Sequence, residues 1–270
     1  MGALKPILIG LICLVAAGYL AICGYLYAQQ RRLVFQPSAH RLDGPPPGSG
    51  YQTLDVAVPG LGTLKDWWAP PTAAGAPTVV FFHGNASDRT DFVKQGDLFR
   101  ARGWGVVLAS YRGYSGNPGA PTESGLMADA RATLKAVAPR VGPIIVWGHS
   151  LGSGVAARMA SEGRASGLVL ESPYTSITDV AAGRYPYVPV RLLLLDRFDT
   201  RALVERIRVP VLIFHSVDDP TVPFWMGQDL AERLGARATF VKMTGQGHYP
   251  HHHDLSGTVA AWAKQQRISG

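Results

Sequence analysis

The sequence is nearly devoid of cysteine: two in 270 residues, Cys13 and Cys23, both within an apolar N-terminal stretch. That excludes a disulfide-stapled scaffold and a cysteine-built zinc site. It also lacks any block of basic residues, although the net charge is +7. The Lys and Arg are dispersed, so nucleic acid is not an expected partner, and attraction to anionic lipid headgroups is the better reading of the charge. There is no internal repeat at a period of 20 to 50 residues. A hydrophobic content of 47% excludes a disordered or low-complexity chain.

One further absence is local. No residue between Lys5 and Gln29 carries a charge, and the run from Pro6 to Ala28 is 23 residues long. As a helix it extends roughly 34 Å, enough to cross a hydrocarbon core of about 30 Å. Tyr25 and Tyr27 near its end, followed by Arg31 and Arg32, have the character of interfacial anchors. A cleaved signal peptide fits less well. The run exceeds a signal core of about 7–15 residues, and Leu26-Tyr27-Ala28 puts a bulky Leu where cleavage wants a small residue. Ile22 before Cys23 likewise fits lipoprotein processing poorly. The expectation is a single-pass transmembrane anchor at 1–28. The amino terminus and Lys5 nearly balance Arg31, Arg32 and Arg41, so the charges specify no orientation.

Residues 29–50, with Asp43-Gly44-Pro45-Pro46-Pro47-Gly48-Ser49-Gly50, read as an irregular juxtamembrane connection. From Tyr51 on, short β-branched runs alternate with helical patterns. Strands are expected at 51–58, 63–69, 78–82, 105–110, 143–147, 167–171, 210–215 and 239–243, and helices near 90–102, 121–138, 151–163, 223–234 and 254–266. The runs at 78–82, 143–147 and 210–215 are almost wholly apolar, as in strands of a parallel sheet covered on both faces. The first two strands have no helix between them and form an antiparallel hairpin at one edge. Residues 51–270 therefore form one α/β domain. The stretch 172–209 breaks the alternation and is too long for an ordinary connection, which points to a small cap over the top of the sheet.

The strongest chemical signal is Gly148-His149-Ser150-Leu151-Gly152, a G-x-S-x-G. It follows an apolar strand and opens a helical segment, the strand–turn–helix setting of a nucleophile elbow. A side chain at 148 or 152 would crowd the turn that holds Ser150. A serine hydroxyl needs a base, and the base an orienting acid. The strand ending at His215 leads into Ser216-Val217-Asp218-Asp219, where either aspartate qualifies. The strand 239–243 leads into Thr244-Gly245-Gln246-Gly247-His248. These candidates lie just past the carboxyl ends of strands, where open α/β sheets place their sites. Gly247 permits a tight approach by His248, whereas His251, His252 and His253 read as the solvated start of the last helix. For oxyanion stabilisation the donors are the N–H of Leu151 and an N–H of the loop His83-Gly84-Asn85-Ala86, with Asn85 preferred to its neighbour Ala86.

Taken together, His83-Gly84-Asn85, Tyr111-Arg112-Gly113-Tyr114, Gly116-Asn117-Pro118-Gly119, Pro121-Thr122-Glu123, the Ser150 elbow, Glu171-Ser172-Pro173-Tyr174 and Val222-Pro223-Phe224 occur in order. This set resembles the single-span, membrane-anchored α/β-hydrolases of the bud-emergence-protein-like branch, over roughly residues 30 to 265. The resemblance implies an α/β-hydrolase fold with a mostly parallel eight-stranded sheet, and helices on both faces. It selects Asp219 over Asp218, giving Ser150, Asp219 and His248 as triad and Asn85 with Leu151 as oxyanion hole. Two departures are Ser115 and Ser216, both usually Gly in the family. Tyr111-Arg112-Gly113-Tyr114 reads as structural, an Arg clasped in a loop that holds the pocket wall, and Asp129 and Glu171 as polar contacts at element ends.

The expected function is a serine hydrolase cleaving carboxylic esters through an acyl-enzyme, with no metal or cofactor required. A tethered site under a Leu- and Tyr-rich cap points to small-molecule or lipid acyl esters. An aminopeptidase or other amidase on the same triad is the enzymatic alternative, and a non-catalytic membrane scaffold the alternative of another class. No oligomeric state is assigned.

Overall fold

The computed structural model describes residues 4–38, 40–42 and 44–268. Strands β1 (Gln52–Val58), β2 (Gly62–Ala69), β3 (Thr78–Phe82), β4 (Gly105–Ala109), β5 (Ile144–His149), β6 (Gly167–Glu171), β7 (Val211–Ser216) and β8 (Ala238–Met243) form one sheet in the order β1-β2-β4-β3-β5-β6-β7-β8. From β4 to β8 the pairs are parallel, while β1–β2 and β2–β4 are antiparallel. The eight expected strands are present within a residue or two of their expected bounds. The apolar runs in β3, β4, β5 and β6 are buried at every residue, as strands covered on both faces must be.

Alternate residues of each strand feed two cores. Val80, Phe82, Val146 and Ile213 join one with α3 (Glu123–Val137), α4 (Leu151–Ser161) and α7 (Phe224–Leu234). Val79, Phe81, Ile145 and Leu212 join the other with α2 (Val93–Arg100) and α8 (Ser256–Gln265). Period-2 alternation assigns successive residues to opposite faces. The parallel register puts Phe82 beside Gly148, which brings the loop after β3 against the turn after β5.

The N-terminal helix α1 spans Leu4–Val34 and continues six residues past the end of the apolar run at Ala28. Hydropathy marks where the chain stops being apolar, not where the helix stops, and Gln29, Gln30, Arg31 and Arg32 are good helix formers. They also find partners in the long excursion between β6 and β7, which contains α5 (Ile177–Arg184) and α6 (Val190–Leu193). Gln30 Nε2 donates to Leu193 O (3.3 Å), Leu195 N–H donates to Gln30 Oε1 (2.8 Å), and Arg31 pairs with Asp196 (3.1 Å). Farther up the helix, Tyr19 donates its hydroxyl to Tyr187 O (3.0 Å). The excursion therefore lies along α1, a contact that the sequence did not indicate.

After α1, what reads in sequence as a loose connection is stitched to the loops at the carboxyl end of the sheet. Gln36 N–H donates to Asn85 Oδ1 (2.7 Å) and Ala86 N–H to Gln36 O (3.1 Å). Ser38 Oγ donates to Asp88 (3.0 Å), and Leu42 N–H to Ser115 O (3.2 Å).

Candidate active site

Ser150 sits between β5 and α4 with φ 49° and ψ −118°, a conformation few L-residues adopt. The turn is tight for a readable reason. A Cβ on Gly148 would strike the backbone of Gly152, and one on Gly152 would strike the carbonyl of Phe82. Donation of Ser150 N–H to Glu171 O (3.0 Å) helps hold the strained residue.

Ser150 Oγ lies 2.9 Å from His248 Nε2, and His248 Nδ1 lies 2.8 Å from Asp219 Oδ2. Asp219 has only acceptors to offer, so Nδ1 carries the proton and Nε2 faces Ser150 as an acceptor. The Asp219 side chain is fully enclosed and His248 is 6% exposed. Burial opposes ionisation of Asp219. Hydrogen bonds from His215 and His248, the His248 charge and Val222 N–H outweigh it and hold the carboxyl well below the usual range. Its Oδ1 accepts Thr221 N–H (2.8 Å) and Val222 N–H (2.9 Å).

The adjacent Asp218 has a different task. It accepts Ser216 Oγ–H (2.5 Å), Gly245 N–H (2.9 Å) and Gly247 N–H (3.2 Å), and so ties down the loop that carries His248. Gly247 takes φ 54°, a left-handed turn that favours glycine, directly before His248. Ser216, one of the two departures from the family pattern, thus supplies a donor to this clamp; the other, Ser115, adopts φ 54°, where glycine would be at ease.

Two residues missed as functional in the sequence hold His248 from below. His149 Nε2–H donates to His248 O (2.8 Å), and Ser172 Oγ–H reaches the same carbonyl (3.3 Å). Burial depresses the His149 imidazole to about 3, so it is neutral and its single proton is on Nε2. The signal was present in G-His-S and E-Ser-P, but neither motif reveals a partner some 76 to 99 residues away.

The structure corrects the reading of the histidine run. His252 and His253 are exposed, but His251 is buried in a 3-10 turn that precedes the last helix by several residues. Its Nδ1 and backbone N–H both donate to Glu171 Oε1 (2.7 and 2.8 Å), and its ring stacks on Phe92 at 4.5 Å. Burial alone would lower its pKa, but the Glu171 charge outweighs that and raises it. Trp147 Nε1–H fills the other Glu171 oxygen (2.8 Å). Ligand atoms of His149, Glu171 and His251 lie within 4.8 Å of one another. Both Glu171 oxygens accept hydrogen bonds and His149 Nε2 donates to His248 O, while His149 Nδ1 and His251 Nε2 are buried with no partner among the described residues.

Near Ser150, a Cβ on Gly84 would fall 3.3 Å from Ser150 Cβ, so the His83–Ala86 loop runs beside this serine. Ala86 N–H is spent on Gln36 O, whereas the N–H groups of Asn85 and Leu151 have no partner among the described residues. Of the two neighbouring loop amides, only that of Asn85 is thus without a partner among the described residues. The Tyr-Arg-Gly-Tyr motif clamps the same loop: Tyr111 OH donates to His83 O and Tyr114 OH to Asn85 Oδ1, both at 3.1 Å. Arg112 is held by buried Asp129 through its guanidinium (2.7 Å) and its N–H (2.8 Å), the structural role expected of both.

The family described as serine aminopeptidase, S33, matches residues 74–198. An uncharacterised protein of Mycobacterium tuberculosis is 35% identical over 251 residues, covering 89% of this chain and 86% of that protein. Lysophosphatidylserine lipase ABHD12 of Danio rerio is 32% identical over 215 residues, or 69% of this chain; the chain spans about half that protein's length, 56%. Among solved structures, an esterase of Pyrococcus furiosus superposes with TM-score 0.68 at 17% identity, covering 86% of this chain and 98% of that one. Est1E of Butyrivibrio proteoclasticus with ferulic acid gives TM-score 0.68 at 19% identity, covering 80% and 100%. At these identities the solved structures speak for the fold.

Proposed function

Because the chain belongs to the serine aminopeptidase S33 family of α/β-hydrolases and is a serine hydrolase, we propose that it is a membrane-anchored esterase acting on acyl esters of lipids. The observation that carries the mechanism is the continuous relay from Ser150 through His248 to Asp219, at 2.9 and 2.8 Å. Ser150 Oγ attacks the ester carbonyl while His248 Nε2 takes its proton. Ionised Asp219 fixes the tautomer and stabilises the imidazolium. The N–H groups of Asn85 and Leu151 receive the oxyanion. His248 then protonates the leaving alkoxide, and water, deprotonated by the same imidazole, cleaves the acyl-enzyme to acid and free Ser150.

Esters are favoured over aminoacyl amides on one physical ground. An aminopeptidase must pair the α-ammonium of its substrate. The carboxylates around this relay, Asp218, Asp219 and Glu171, already accept three hydrogen bonds each. The lipase name of the ABHD12 relative leans the same way.

The membrane part rests on α1. Lys5–Val34 is long and apolar enough to cross a bilayer, and almost none of its most apolar stretch is buried in the protein. An exposed apolar helix of that length finds its favourable solvent in lipid. We assign 1–28 to the anchor, the residues from 51 to the hydrolase domain, and the excursion at 172–209 to a cap.

The test is intact-mass analysis after treating the detergent-solubilised chain with a fluorophosphonate, beside Ser150→Ala. One adduct on the parent and none on the variant is expected. A folded parent that takes no adduct refutes the activated serine, and release of aminoacyl amides with esters ignored refutes the ester reading.

A further inference from the structure

The contact between α1 and the excursion leaves an open cleft whose lining is almost wholly apolar. Leu26, Leu33 and Val34 form one wall, and Ala181, Val188 and Leu193 the other. The only polar side chain on it besides the tyrosines, Gln30, has its amide fully occupied. It donates to Tyr27 O and Leu193 O and accepts Leu195 N–H. A polar group satisfied this way costs little in an apolar medium.

Depth follows from the helix itself. Tyr19, which holds Tyr187 O, lies nine residues inside the end of the apolar run at Ala28, about 14 Å along the axis. That is close to the hydrocarbon depth of one leaflet, half of about 30 Å. The excursion tip carries matching side chains: Tyr187 is 88% exposed, Leu192 81% and Leu195 52%. With α1 in a bilayer, these residues are in the same leaflet. Arg32 on the helix and Arg184 and Arg197 on the excursion are exposed and make no ion pair among the described residues, a cationic set suited to headgroup phosphates, while Arg31 and Arg191 are paired with Asp196 and Asp179.

From the inner end of the cleft the chain runs on to the loop beside Ser150. Val34 is followed by Phe35, packed edge-on against Phe198 at 6.1 Å, and by Gln36, bonded to Asn85 in the loop beside Ser150.

We infer that this cleft is the acyl-chain subsite: the tip of the excursion is inserted in the leaflet, and one acyl chain of a lipid ester enters laterally between α1 and the excursion. The inference rests on the proposed ester hydrolysis and anchoring, and deepens them.

The experiment uses the full chain in nanodiscs of phosphatidylcholine with phosphatidylglycerol. A monoacylglycerol bearing a diazirine at the end of its chain is photolysed on Ser150→Ala, which reads occupancy without turnover. Cross-links are expected to concentrate on peptides covering 24–36 and 180–196 and to fall at least fivefold with the added change Ala181→Trp. In otherwise parent protein, Ala181→Trp is expected to lower the ratio of kcat/KM for myristoyl over acetyl esters at least tenfold, with fluorophosphonate labelling as the check that it has folded. Cross-links confined to other peptides, or joining two copies of the chain through this face, overturn the inference. So does an unchanged ratio in a labelled variant. Failure of the parent to label or to hydrolyse any ester would instead refute the esterase reading, and the cross-linking map would still report what the cleft holds.

Discussion

Replacement of His149 by Gln tests the buried histidine beneath Ser150 by its proton count. Burial holds the His149 imidazole at about 3 in the folded chain, against an ordinary value of 6.5. Between those values the unfolded chain binds a proton that the folded chain refuses. The stabilisation is therefore complete above about pH 6.5 and is lost as pH falls toward 3. Each pH unit in that window is worth about 1.4 kcal/mol, so acidification to pH 4.5 costs about 2–3 kcal/mol, a large share of a typical domain stability of 5–15. Other groups titrate nearby. His83 is lowered to about 4 by burial and acts in the same sense, whereas buried Asp66, raised to about 6, acts in the opposite one. The difference between parent and variant removes both. Gln retains an N–H that reaches the His248 carbonyl but has no proton to gain. In urea titrations of the full chain in maltoside micelles from pH 7.5 to 4.5, the variant is expected to gain about 2–3 kcal/mol on the parent. Parallel stability curves would mean that His149 titrates alike in both states, and would refute a buried neutral imidazole.

The neighbouring aspartates are separable: Asp219→Asn is expected to lower kcat by about 10³–10⁴ through loss of the productive tautomer, a magnitude borrowed from serine proteases. Asp218→Asn, which only loosens the loop at Gly245 and Gly247, is expected to lower it by about tenfold, and steady-state rates on an acetyl ester check both. Glu171→Gln leaves the charge of buried His251 without its partner, and thermal or urea unfolding at pH 6 is expected to show a loss of about 3–5 kcal/mol. Gln36→Pro deletes the N–H that holds Asn85 Oδ1, and is expected to reduce kcat on acetyl esters several-fold with little change in KM; an unaltered kcat would show that the strap does not position the loop. Asp66→Asn removes a carboxyl whose folded pKa is raised, so stability that the parent loses as pH climbs from about 3.8 to about 6 should be retained, read from the same pH series.

How far the sequence was legible depended on the reach of each interaction. The buried strands were readable because Thr78–Phe82 and Ile144–His149 state their environment in their own composition. The elbow was readable because the glycines that make room for Ser150 are two residues away on either side. His251 was misread because its polarity resembles that of His252 and His253, and Glu171, which draws it inward, is 80 residues distant. Asn85 and Ala86 were equivalent until Gln36, 49 residues earlier, was seen to occupy the amide of one and the side chain of the other. The docking of the excursion on α1 had no signature at all. A helix that is apolar on every side reads the same whether it meets lipid alone or lipid on one face and Tyr187 on the other.

The proposed reacting groups share a device that these distances explain. Each is next in sequence to a residue that positions a different loop: His149 before Ser150 holds the His248 carbonyl, and Asp218 before Asp219 holds Gly245 and Gly247. The chain turns sharply at both places, at Ser150 and at Val217–Asp218, so one side chain of each pair faces the relay while its neighbour faces a different loop. Such bracing is needed because Ser150 and Ser172 both occupy left-handed backbone, at φ 49° and 46°, and each conformation costs of order 1–3 kcal/mol. Both residues donate their N–H across the sheet, Ser150 to Glu171 O and Ser172 to Phe214 O, and their side chains meet the histidine loop, Ser150 at the His248 ring and Ser172 at its carbonyl. Removing a brace therefore relaxes a strained turn and the loop opposite it together. That is why the variants expected to reduce turnover without touching substrate, at Asp218 and Gln36, lie beside the proposed triad or on the strap leading from α1.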